Sequence, residues 1–110
     1  MDEKISKLRD TVKEFLLNII KRIDDITDEY NNTGALDTDR LEYLFEDLES
    51  IAEGINAIKE YYPVMDILEF QEKIELMERA IGEHDMMLLS DIMKFELKGL
   101  LEFWEKCLVS

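Results

Sequence analysis

Residues 3–30, EKISKLRDTVKEFLLNIIKRIDDITDEY, decide the fold class. Their apolar members Ile5, Leu8, Val12, Phe15, Leu16, Ile19, Ile23, Ile26 and Tyr30 recur at intervals of three and four. At about 100° per residue they gather into one stripe roughly 100° wide, the mark of a helix that buries a single face. Such a helix is about 40 Å long at about 1.5 Å per residue. Asp2 is placed to cap its start. Asn31-Asn32-Thr33-Gly34 ends it, because Gly and Asn accept the left-handed conformation common at a helix terminus.

The same reading extends through the rest of the chain. After Asp37-Thr38-Asp39, which suit a helix start, Leu41, Leu44, Phe45, Leu48, Ile51, Ala52, Ile55 and Ile58 form a second stripe. Gly54 inside it costs up to about 1 kcal/mol relative to alanine, which points to a close helix crossing. Tyr61-Tyr62-Pro63 stops this helix, and Pro63 suits the first turn of a third. There Ile67, Phe70, Ile74, Met77 and Ile81 keep a 3-4-3-4 rhythm. Gly82-Glu83-His84 interrupts it, and Asp85 can cap a fourth helix. On that helix Met86, Leu89, Met93, Leu97, Leu100, Trp104 and Leu108 share a face, with Ile92 and Phe103 on its flank. No strand-like alternation occurs, and the connections are short. The expectation is a single all-α domain, an antiparallel up-down-up-down four-helix bundle with helices at about 3–30, 39–61, 64–81 and 86–108.

Composition narrows the function. The 110 residues are 46% apolar and contain only four glycines and one proline, too ordered a mixture for a disordered chain. Lys plus Arg is 13 against 27 Asp plus Glu, for a net charge of -14. That balance argues against nucleic acid and anionic membrane as partners, since both require clustered cations. The acid is uneven, with fourteen acids against four bases in residues 35–84. One cysteine cannot close an internal disulfide, and one histidine cannot build the usual zinc site. Four of residues 2–7 are charged and no apolar core follows them, so the expected location is the cytoplasm.

No catalytic motif emerges. His84 sits in a turn with no cation near it in sequence, and reads as a solvated group. Asp66, Glu69, Glu72, Glu75 and Glu78 form an i+3 ladder, and Glu46 and Glu49 add an E-x-x-E pair. Carboxylates so spaced could share a divalent cation. However, the chain has no E-x-x-D, the residue three before His84 is Ile81, and successive i+3 steps rotate about 60° around the helix. A solvated acidic face is the simpler reading. Cys107 has no histidine close in sequence and reads as a structural thiol. Neither a catalytic residue nor a cofactor is assigned.

What remains is surface chemistry. Leu17, Tyr43, Met65, Leu68 and Leu76 fall outside the core stripes. On helix four Leu88 and Phe95 face away from the core, with Met87 on the far side, and Ile92 between them at i+4 links them into a second stripe, so this helix is apolar over more than half its circumference. Met77, Met86, Met87 and Met93 gather near the turn between helices three and four, and methionine adapts to varied surfaces. Met87, Leu88, Ile92 and Phe95 are therefore the candidate partner-binding residues. In size, acidity and helical architecture the chain resembles small bacterial export chaperones, such as those that guard flagellar subunits. That resemblance implies a non-enzymatic protein-interaction module that binds a partner helix, or a second copy of itself, through helix four. The alternatives are a carboxylate-based divalent-metal bundle or metal-dependent enzyme, and an acidic mimic of nucleic acid.

Overall fold

The computed structural model describes residues 2–108. Helix α1 spans Glu3–Thr33 and α2 spans Thr38–Ile58, followed by a 3₁₀ turn at Lys59–Tyr61. Helix α3 spans Ile67–Gly82, and α4 runs over residues 86–107. All four pack around one core in an all-α bundle measuring 46 × 22 × 20 Å. The 31 residues of α1, at about 1.5 Å each, account for the long axis.

Each helix begins at an aspartate whose carboxylate accepts backbone N–H groups left free by the first turn. Asp2 accepts from Lys4 and Ile5, Asp37 from Arg40, Asp66 from Leu68, and Asp85 from Leu88. The third of these corrects the sequence reading. Helix three does not start near Val64, and Pro63 lies in the loop before it rather than in its first turn. Asp66 is thus a cap and not a rung of a helical acidic ladder. Because Met65 then belongs to the loop, it turns inward and is only 4% exposed, so it is core rather than a surface misfit.

The α1 end matches expectation: Gly34 takes φ 76° and its N–H donates to the Tyr30 carbonyl at 2.7 Å. The turn between α3 and α4 differs from it. Gly82 remains helical, and His84 adopts the left-handed conformation, at φ 55°. Its N–H donates to the Ile81 carbonyl and that of Asp85 to the Ala80 carbonyl, a helix-ending pair of bonds that usually has glycine at the left-handed position. The His84 side chain therefore costs conformational energy. Replacing His84 by glycine is expected to stabilise the protein by about 0.5–1 kcal/mol, read from urea unfolding. A loss of stability would mean that the imidazole makes a compensating contact.

Gly54 marks a close crossing of α1 and α2, as anticipated. A Cβ built there would lie 2.9 Å from the Val12 Cγ2, on a stiff β-branched side chain that cannot swing away.

Helix α4 contains an irregularity that the periodicity analysis did not foresee. Residues Ile92–Leu97 are wound as a π-helix, and the Lys98 N–H donates to the Met93 carbonyl five residues back. Leu89, Met93, Leu97 and Leu101 explain it. Each four-residue step overshoots an α-helical turn by about 40°, so three steps would carry Leu101 roughly 120° away from Leu89. The wider π turn absorbs that drift, and all four side chains are buried. Ile92, whose N–H still donates to the Leu88 carbonyl, is buried at the start of the turn.

Ion pairs across two of the seams give the relative direction of the helices they join. Arg22 pairs with Asp47 and Arg40 with Glu29 between α1 and α2. Lys98 with Asp24 at 2.8 Å, Lys94 with Asp28 at 4.0 Å and Lys13 with Glu105 at 3.7 Å join α1 to α4. In each set the numbers rise on one helix as they fall on the other, so the neighbours are antiparallel. Lys73 and Glu96, 3.3 Å apart, join α3 to α4.

Candidate functional site

The helix-four residues divide. Met87, Leu88 and Phe95 are 65%, 42% and 71% exposed, but Ile92, placed between Leu88 and Phe95 by a simple α-helical count, is 3% exposed and belongs to the core. The expected outward stripe is therefore interrupted at its centre. Ile92 still donates to the Leu88 carbonyl four residues back, so it keeps the α-helical phase that sets it on the flank of the core stripe, and the π turn shifts only the residues after it. Phe95 lies alone on its stretch, with the Lys94 ammonium 5.7 Å from its ring centroid. Leu17, Tyr43, Leu68 and Leu76 are exposed, as their phase indicated.

A more continuous feature lies on the opposite seam. Phe45, Ala52, Ile74 and Ile81 belong to the apolar stripes of α2 and α3, yet they are only half-buried. With Leu48 and Phe70 they line an open groove of about 350 Å³ between the two helices, edged by Glu49, Gln71, Glu75 and Glu78. The depression continues along the seam past Leu41, Glu42, Phe45, Glu46 and Ile81. It ends among Gly34, Ala35, Leu36, His84 and Met86. From Thr38 to Ala52 this is about 21 Å of helix.

The seam stays open for a chemical reason. Among the described residues, ion pairs tie α1 to α2, α1 to α4 and α3 to α4, and none joins α2 to α3. Glu42, Glu46 and Glu49 on one bank face Glu75 and Glu78 on the other, all exposed. None of these five lies within ion-pair distance of a cation among the described residues. Like charges on both banks oppose closure, while the apolar floor remains incompletely covered. The acids of α2 and α3 thus have a geometric consequence that their spacing in sequence does not reveal.

Other chemistry-bearing groups lie outside this groove or at its edge. Among the described residues, no group of three or more His, Cys, Asp or Glu side chains is placed to hold a metal ion. Cys107 is half-buried, and burial pushes its thiol up from the usual range, which keeps it protonated at neutral pH. Lys98 is held above the ordinary ammonium range, first by its hydrogen bond to Asp24. A raised ammonium pKa contributes stability that is present at neutral pH and lost only as pH climbs through the folded-state value. Arg9 is raised first by its hydrogen bond to the Tyr62 side chain and next by Asp10, which ties the start of α1 to the segment after α2. His84 lines the far end of the groove.

Fold and groove together define a small acidic four-helix bundle with one seam left open. Residues 7–107 match the family model described as "Domain of unknown function (DUF8042)", and the chain belongs to that family. No curated protein and no solved structure matches the chain. Among the described residues, no helix is long and apolar enough to cross a membrane.

Proposed function

We propose that this protein is a non-enzymatic interaction module, acting in the cytoplasm, that captures a helix of a partner protein. The observation that supports this reading best is the α2–α3 groove, where two half-buried apolar stripes run side by side without a third element to cover them. Leu41, Phe45, Leu48 and Ala52 step along α2 by four, three and four residues. That rhythm suits the ridges-into-grooves packing of another helix, whose anchors recur at i, i+3, i+4 and i+7. The groove replaces the outer face of α4 as the leading surface, because the apolar run on α4 is broken by the burial of Ile92.

The test is a display library of helix-forming peptides about 20 residues long, with apolar residues at that spacing and free flanking positions, selected on the full chain. Selected peptides should lose binding to an Ala52→Trp variant, in which the new side chain fills the groove. They should keep it in a Leu88→Glu, Phe95→Glu double variant. The reverse pattern would move the site to α4. Enrichment of no helix at all would sink the proposal.

A further inference from the structure

We infer that the groove is selective for a cationic amphipathic helix of a different protein, one with an apolar face flanked on both sides by Lys or Arg. This inference rests on the helix-capture reading and specifies its partner. Charge complementarity carries it. The floor is apolar, and both banks bear carboxylates that meet no cation among the described residues: Glu46 and Glu49 from α2, Glu75 and Glu78 from α3. Cations that cross between helices elsewhere in the bundle are engaged on the other three seams. An incoming helix therefore supplies the charge that the seam lacks. Its apolar ridge would cover the half-buried Phe45, Ala52 and Ile74, while lysines or arginines on its flanks reach the two acidic banks.

A second copy of this chain does not meet that requirement. Each copy carries a net charge of -14, so two copies repel at low salt. The apolar groups exposed on α4 are accompanied by exposed Asp91 and Glu102, of the same sign as the banks. Lys94 and Lys98 of the same helix are already paired with Asp28 and Asp24. About 21 Å of groove accommodates a segment on the order of 14 residues, or roughly four helical turns.

The protein carries its own reporter. Trp104 is its only tryptophan, and its ring lies 5.3 Å from that of Phe70, which lines the groove. Titration of the full chain, followed by Trp104 fluorescence, would use three tryptophan-free helical peptides with one apolar face and flanks of Lys, Gln or Glu. Calorimetry would provide an independent binding measurement. At about 50 mM salt the Lys peptide is expected to bind tenfold or more tighter than the Gln peptide, with the Glu peptide weakest. That margin should shrink as salt rises to about 500 mM. It should also shrink in a variant carrying Glu46→Gln, Glu49→Gln, Glu75→Gln and Glu78→Gln, all at exposed positions. Equal binding of the Lys and Gln peptides, abolished by Ala52→Trp, would overturn the charge selectivity while leaving helix capture standing. Failure of all three peptides at millimolar concentration would overturn both. A Lys preference that persists in Ala52→Trp would show nonspecific attraction to the acidic surface and would also overturn the inference.

Discussion

Truncating Trp104 to alanine is expected to remove about 3–5 kcal/mol of the protein's stability. The indole is fully buried in α4 and stacks against Phe70 with ring planes tilted by 31°, coupling α4 to α3. Deleting a buried aromatic of this size costs about 3–5 kcal/mol through lost transfer energy and the cavity left behind. A single domain has about 5–15 kcal/mol in total, so this loss takes a large share of it. Trp104→Phe should be much milder. The Trp104 Nε1 is buried with no hydrogen-bond partner among the described residues, so phenylalanine removes an unsatisfied donor while retaining much of the ring volume. Circular dichroism with urea titration distinguishes the two variants. An alanine variant within about 1 kcal/mol of the parent would show that the α3–α4 contact is not central to stability.

A second large effect separates two neighbours on α4. Ile92→Glu is expected to unfold the protein, because it places a carboxylate where the side chain is 3% exposed. An unpaired buried charge costs several kcal/mol even after relaxation. Phe95→Glu, three residues later and 71% exposed, should change stability by no more than about 0.5 kcal/mol. Comparable unfolding midpoints for the two variants would mean that Ile92 is not part of the core. The result also bears on function: a folded Phe95→Glu variant that still binds helical peptides points to the α2–α3 groove.

Much of the architecture is readable from local rules. A helix that buries one face must repeat its apolar residues every three or four positions, and Leu16, Ile19, Ile23, Leu44, Leu48 and Ile51 do so and are buried. Asp2, Asp37 and Asp85 cap helices because a short carboxylate can reach the first free N–H groups, a requirement met within four residues of chain. The start of α3 was misplaced because Pro63 and Asp66 both suit a helix beginning. Nothing local decides between them; what does is the inward packing of Met65.

The candidate groove was not legible in the same way. Phe45, Ala52, Ile74 and Ile81 have the periodicity of core residues, and periodicity records which face points inward without recording whether a neighbour arrives to cover it. The available signal was the run of glutamates beside both stripes, Glu42, Glu46 and Glu49 on α2 and Glu75 and Glu78 on α3.

Sequence alone determined the four helices, three of their caps, the left-handed ending of α1 and the excess of acid, because each depends on hydrogen bonds and periodicities spanning a few residues. Tertiary structure decided the π turn in α4, the burial of Ile92, the inward turn of Met65 and the open seam between α2 and α3. These depend on how distant segments divide the space and the few cations between them, and an isolated helix carries no record of that division.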